Sequence, residues 1–192
     1  MLGIKRITGA ADPAPEGELG SWVSDAAREK FLAAYERAFA LWPQPVEEFD
    51  IETATATTRV HAYRPHPGGT PVVLLSAFNA AGWYPQVAAL ARDGPVYGID
   101  QPGDANPSVP RALMTPPASC AAWLDELLGQ LSDRPAHLVG LSSGGWVAMN
   151  QAIRASARVA SITLLDPAGL TKLDARFWWW LSISGLDRKS VV

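Results

Sequence analysis

Two kinds of hydrophobic pattern divide the chain. From Ser24 to Leu41 apolar residues recur at helical spacing: Phe31, Tyr35, Phe39 and Trp42 share one stripe, while Arg28, Glu29, Glu36 and Arg37 stand mostly off it. This predicts an amphipathic helix, which Pro43 and Pro45 stop. Val46 to Asp50 and Thr57 to Tyr63 show loose alternation and many threonines, as two antiparallel strands would. Pro65-His66-Pro67-Gly68-Gly69 reads as a turn, and the Gly-, Pro- and Ala-rich stretch from Met1 to Gly20 as a loose arm.

Beyond Thr70 the pattern changes. Short continuous apolar runs, Pro71 to Leu75, Val96 to Asp100, Ala136 to Gly140 and Val159 to Leu165, are what strands buried on both faces look like. Helical segments lie between them: Trp83 to Ala91, Ala118 to Leu131 with Trp123, Leu124, Leu127, Leu128 and Leu131 inward, and Gly145 to Ala155. Strands alternating with helices predict an α/β domain whose mostly parallel sheet is wound by right-handed crossovers, with helices on both faces.

Composition narrows the class. A length of 192 residues suits one ordinary domain, and 48% hydrophobic against 18% charged residues excludes disorder along most of it. A net charge of −3 gives no reason to expect nucleic acid as a partner. No apolar run approaches the ~18 residues of a membrane span, and no apolar segment follows Lys5 and Arg6 as a signal peptide requires; a cytoplasmic domain is expected. The single cysteine, Cys120, excludes an intramolecular disulfide and a cysteine-based zinc cluster. Three of the eight tryptophans are consecutive, Trp178 to Trp180. One helix face cannot bury three consecutive side chains, so this end reads as a lid or as a surface lacking its partner.

The chemistry concentrates at Gly140-Leu141-Ser142-Ser143-Gly144, a G-x-S-x-G pattern between a buried strand and a helix. In such a turn the glycines leave room for a sharp reversal, and the serine is pushed into strained backbone at a helix N-terminus. The competing reading is an ordinary glycine-rich strand-to-helix turn with a capping serine. A nucleotide-binding loop is not supported, because Gly140 to Gly145 has neither the G-x-G-x-x-G spacing nor a P-loop lysine.

With Val72-Val73-Leu74-Leu75-Ser76-Ala77-Phe78, Tyr97-Gly98-Ile99-Asp100-Gln101-Pro102-Gly103, the serine turn with Gly145-Trp146, and Leu164-Leu165-Asp166-Pro167-Ala168-Gly169, the chain resembles the N-terminal two-thirds of an α/β-hydrolase over Ala27 to Phe177. Leu41-Trp42-Pro43 is similar to bacterial carboxylesterase-like members. The resemblance implies a serine hydrolase acting on a small carboxylic ester or related acyl substrate, with neither metal nor cofactor. Ser142 would be the nucleophile, and the backbone N–H groups of Ser143 and Phe78 would form the oxyanion hole. Where the family usually has His-Gly before the second donor, this chain has Ser76-Ala77, which puts that donor's geometry in question; Asn79 is a side-chain alternative. Phe78, Trp83, Trp146 and Met149 are candidates for an apolar pocket, although core burial explains them equally well.

In this fold the acid and then the histidine follow the serine. No histidine follows Ser142; His61 lies on an early strand, His66 on a turn, and His137 starts the strand leading to the serine. Acid candidates after the serine are Asp166, Asp174 and Asp187; Asp166 ends a buried strand at the edge where ligands bind in open α/β sheets, capping the turn before Pro167 is the competing reading, and in the family the acid more often comes one strand later. The chain is therefore expected to be an incomplete, inactive hydrolase lacking the last strands. It would comprise an arm over 1–20, a partial domain over 21–186 with the start of a cap near 171–186, and a non-native tail over 187–192. The alternative, from another class, is a non-catalytic binding protein that kept only the serine turn.

Overall fold

A computed structural model describes residues 22, 24–112, 114 and 117–171. The expected arm, the cap from residue 172 onward with its three tryptophans, and the tail lie outside the described residues. The first helix, α1 (Asp25–Phe39), starts where Ser24 Oγ accepts the Ala27 N–H at 3.1 Å, satisfying one of the free amides of the first turn. Two strands follow, β1 (Glu47–Glu52) and β2 (Ala56–Tyr63), then β3 (Val72–Ser76), α2 (Tyr84–Leu90), β4 (Val96–Ile99), a two-residue β5 (Val109–Pro110), α3 (Pro117–Leu131), β6 (Ala136–Leu141), α4 (Ser143–Arg154) and β7 (Val159–Leu165).

The strands form one sheet in the order β1-β2-β4-β3-β6-β7, with β5 paired to β2. β2 runs antiparallel to β1 and β4, and β3, β4, β6 and β7 are mutually parallel. Successive side chains of a strand point to opposite faces. Accordingly Val73, Leu75, Tyr97, Ile99 and Leu138 pack with α3 and α4, while Val72, Leu74, Val96 and Val139 pack with α1 and α2. For β3, β4 and most of β6 the continuous apolar runs are thus the sequence form of a sheet covered twice; β7, read from the same kind of run as buried on both faces, is instead mostly exposed, because it is the last strand of the sheet among the described residues. The inward side of α3 is as expected: Trp123, Leu124, Leu127 and Leu128 are buried, with the Trp123 indole N–H donating to Thr58 Oγ1 at 2.9 Å. No helix among the described residues is long and apolar enough to cross a membrane.

A polar network is buried where α1 meets the sheet. Tyr35 Oη donates to Asp100 Oδ2, at the carboxyl end of β4. Its single proton is committed there, so the 2.5 Å contact with His61 Nε2 requires the histidine to donate. Protonation at Nδ1 as well directs a second donor toward Glu48 Oε1, 3.4 Å away. The His61 ring is fully buried and stacks on Phe39 with centroids 3.6 Å apart. Burial alone would depress its pKa, but hydrogen bonding and charge from Asp100 and Glu48 outweigh this and raise it. On Glu48 the His61 hydrogen bond dominates and lowers the pKa.

The signs fix a stability window. The raised histidine pKa contributes stability below its unfolded value of about 6.5 that is lost as pH rises through the folded value; the lowered Glu48 pKa contributes above about 4.5 and is lost as pH falls through its folded value. The thermal midpoint should therefore be highest near pH 5–6.5 and decline above neutrality. A His61→Gln variant should be less stable throughout and show a flatter profile above pH 6.5, as a calorimetric pH series would read. A second expectation concerns β7, which has no neighbour on its outer side among the described residues, carries no charge and exposes Ile162 and Leu165. Such an edge favours intermolecular pairing. Ile162→Lys should slow aggregation in light scattering while changing unfolding free energy by no more than about 0.5 kcal/mol.

Candidate functional site

The carboxyl ends of β3, β4, β6 and β7 and the loops that leave them form the candidate site. Its centre is the turn from β6 into α4. Ser142 has φ +54° and ψ −118°, a conformation that an L-residue adopts at a cost of about 1–3 kcal/mol. Three groups of hydrogen bonds hold it. Ser142 N–H donates to Leu165 O at 3.0 Å, Ala168 N–H donates to Ser142 O at 2.9 Å, and the Gly145 and Trp146 N–H groups converge on that same carbonyl at 3.0 and 3.3 Å. The glycines are there because α4 starts against the sheet itself. A Cβ on Gly144 would lie 2.2 Å from Leu75 O, and one on Gly140 would lie 2.5 Å from Gly144 O. Neither contact is to a side chain that could turn away.

Helix α4 begins at Ser143, two residues earlier than the helical pattern suggests. The Ser143 N–H is then the first of the helix and has no partner within it. It makes no hydrogen bond to the described residues, which leaves a donor beside Ser142. The Ser143 hydroxyl is also buried without a partner among the described residues.

The second expected donor is differently placed. Phe78 has φ +72°, and the Asn79 N–H donates to Ala77 O at 3.0 Å, so Phe78 is the central residue of a γ-turn. The positive φ thus falls on Phe78 and not on Ala77, where the missing family glycine pointed. Side chains from the loop after β4 pin this turn. Asn106 Nδ2 donates to Phe78 O at 2.6 Å and Gln101 Nε2 to Ser76 O at 2.5 Å. Ser76 Oγ donates to Asn79 O at 2.9 Å. The Phe78 N–H is engaged: it donates to Asp104 Oδ2 at 3.2 Å. Burial of that carboxylate raises its pKa, and the Phe78 N–H opposes the rise only in part. Asn79 caps the following 3₁₀ turn, its Oδ1 accepting the Ala81 N–H at 3.1 Å.

Asp166 directly follows Leu165, whose carbonyl accepts the Ser142 N–H. It is exposed, has φ +44°, and its carboxylate makes no hydrogen bond to the described residues. The backbone thus sets Ser142 and Ser143 at the start of α4 and Asp166 one residue beyond the carbonyl that is bonded to Ser142. The histidines are not part of this arrangement. His61 is sealed in the network beneath α1; His66 is on the turn after β2; His137, bonded to Ser161 Oγ at 2.7 Å, stands at the opposite end of β6.

Beside the first turn of α4 lies a cleft of about 310 Å³, with Ser143, Trp146, Trp123, Met114, Gln101 and Asp104 among its walls. Of the apolar candidates named from the sequence only Trp146 lines it; Trp83 is in the core and Phe78 is exposed. Sequence reasoning passed over Asp104. The only available signal was a carboxylate placed among glycine, proline and asparagine on the loop that follows a buried strand.

Known proteins resemble the chain in sequence and in fold. A model of the alpha/beta hydrolase family matches residues 72–190. Carboxylesterase YbfK of Bacillus subtilis (strain 168) is 34% identical over 140 residues, 72% of this chain and 47% of the relative. An uncharacterized carboxylesterase, nap, of the same organism is 33% identical over 141 residues, again 72% of this chain and 47% of the relative. The crystal structures of carboxylesterase CesB (YbfK) and of naproxen esterase, both from Bacillus subtilis, superpose with TM-scores of 0.76 and 0.77 at 31% and 30% identity. They cover 81% and 85% of this chain and 55% and 57% of those structures. The chain spans about half the length of the curated relatives it matches.

Backbone geometry makes two stability predictions. Gly144→Ala should cost at least about 3 kcal/mol in urea denaturation, because its Cβ meets the backbone of β3. Ser142→Gly should do the reverse and raise stability by about 1 kcal/mol, since glycine accepts the positive φ without strain.

Proposed function

The chain belongs to the alpha/beta hydrolase family, and on that premise we propose that it is the nucleophile-bearing part of a serine carboxylesterase working through an acyl-enzyme on Ser142. The observation that carries this reading is the conformation of Ser142: a non-glycine residue held at φ +54° on a turn whose glycines, Gly140 and Gly144, have no space for a Cβ, next to a helix-start amide with no partner among the described residues. Strain of this kind persists where the surrounding structure over-determines it, and it lifts the hydroxyl clear of the sheet.

In the proposed reaction Ser142 Oγ attacks the ester carbonyl carbon and gives its proton to a base. The carbonyl oxygen becomes an oxyanion that accepts from the Ser143 N–H and, once Asp104 yields it, from the Phe78 N–H. Collapse breaks the bond to the alcohol, which leaves with the proton from the base. Water then repeats the sequence on the acyl-serine and releases the acid. Asp166 is the proposed acid; what supports it is that the carbonyl of the preceding residue, Leu165, accepts the Ser142 N–H. None of His61, His66 and His137 suits the base, each for the structural reason given above, so in this reading the base comes from outside these 192 residues. Small carboxylic esters are the proposed substrates, with no cofactor.

A second reading, a binding protein without turnover, draws on one observation: the Asp104 carboxylate already occupies the Phe78 amide. The two separate in one experiment. The gene is recovered from its source, sequenced past the codon for Leu186, and the complete reading frame expressed. The esterase reading expects hydrolysis of p-nitrophenyl acetate that falls by about 10³-fold or more in Ser142→Ala, and no Ser142-dependent turnover by the 192-residue chain alone. A complete frame with no loop histidine and no Ser142-dependent hydrolysis would establish the binding protein instead.

A further inference from the structure

Leu41-Trp42-Pro43, just beyond α1, has no part in the proposed reaction. Yet Trp42 is almost fully buried, and its indole N–H donates to Ala81 O at 3.3 Å. From α1 itself, Tyr35 Oη donates to Asp100 Oδ2, and the other oxygen of that carboxylate accepts the Ala80 N–H at 2.9 Å. Ala80 and Ala81 are the second and third residues after Phe78, whose amide is the second expected oxyanion donor. The first helical segment thus reaches this loop twice, once at an amide and once at the next residue's carbonyl.

Packing puts the two contacts at one place. Trp42 and Ala80 meet over Gly98 of β4: a Cβ there would lie 2.7 Å from Ala80 Cβ and 2.7 Å from Trp42 Cη2. Asp100 is fully buried, and a carboxylate so placed depends on its donors. The Tyr35 hydroxyl serves Oδ2, while His61 Nε2 is 3.7 Å from that oxygen. As long as Tyr35 holds Oδ2, Oδ1 is directed at Ala80. Without the hydroxyl the carboxylate can turn, and the Ala80 N–H loses its alignment. Phe78, at φ +72°, stays in its strained turn only while both ends are fixed. Gln101 fixes the near end at Ser76 O; Asp100 and Trp42 fix the far end.

We propose that Tyr35, Trp42 and Asp100 are positioning residues for the oxyanion hole, through which the first helical segment sets the direction of the Phe78 amide. They act through Ala80 and Ala81, not on the substrate. The proposal rests on the esterase reading in giving that amide an oxyanion to meet.

Two measurements test it. In the 192-residue chain, amide hydrogen exchange is followed at Ala80 and at Leu74, in the middle of β3. Tyr35→Phe and Trp42→Phe should each speed exchange at Ala80 by about tenfold, and by more than at Leu74. Leu128→Ala, which opens a cavity on the other face of the sheet, should speed Ala80 no more than Leu74. In the complete reading frame, p-nitrophenyl acetate hydrolysis is expressed per serine titrated with a fluorophosphonate, so that unfolded protein does not count. Outright loss of an oxyanion donor costs about 10²–10³-fold in kcat. Misalignment in Tyr35→Phe or Trp42→Phe should cost about tenfold in kcat with KM changed less than about twofold, while Leu128→Ala should leave kcat per titrated serine as it was. Exchange at Ala80 that merely follows Leu74 in both variants would overturn the proposal. So would faster exchange at Ala80 with kcat per titrated serine unchanged. Should Tyr35→Phe not fold, Trp42→Phe decides. If the complete wild-type protein shows no Ser142-dependent hydrolysis, the esterase reading fails, and exchange at Ala80 still decides whether Tyr35 and Trp42 hold this segment.

Discussion

The close approach of α4 to β3 and β6 is the constraint from which the site follows. A helix of ordinary composition would stand off the sheet by the length of a side chain. Here Gly144 and Gly140 remove that distance, and the chain must reverse within a few residues. Ser142 absorbs the reversal, and its carbonyl becomes the point where α4 and the turn after β7 are tied together. The cost of its backbone, about 1–3 kcal/mol, is offset locally by bonds that no relaxed turn would offer. The same geometry leaves the Ser143 amide without a partner among the described residues, because a helix start cannot satisfy its own first donors.

The two amides expected to serve one oxyanion are therefore held by different physics. That of Ser143 is positioned by backbone alone and tolerates changes elsewhere. That of Phe78 depends on side chains: Asn106 and Gln101 fix the turn, Asp104 holds the N–H, and Asp100 holds the next segment by accepting the Ala80 N–H at 2.9 Å. Asp100 is also the acceptor for Tyr35, so α1 reaches the same loop through one buried carboxylate. A helix far along the sequence from the serine is thereby part of what orders the loop opposite it.

The sequence was most legible where one kind of force acts. Loose alternation, continuous apolar runs and helical stripes located α1 through β4 and α3 through β7 to within a few residues, and α/β class followed from their alternation. Helix α4 was misplaced at its start because Ser143 and Gly144 have poor helix propensity, which close packing overrides. The two residues of β5 form no period at all. At the site, Ser142, Ser143, Phe78 and Asp166 were legible through a short motif and the resemblance it supports. Asp104 was not, since its meaning comes from a contact with Phe78 across 26 residues and two loops. His61 was set aside as a base for its place on an early strand, and its partnership with Tyr35, Asp100 and Glu48 joins three separate segments and left no local trace.

The strand order has a consequence for how the chain is made. β3 sits between β4 and β6, yet β6 begins 60 residues after β3 ends. At roughly 5–20 residues per second, a ribosome needs about 3–12 s to bridge that interval. Throughout it Val72 to Ser76, a run without a single charge, can be paired on one side only. The nascent chain thus passes through a stage in which its future central strand is an open edge, and the sheet closes there only when the segment that carries the serine has been delivered.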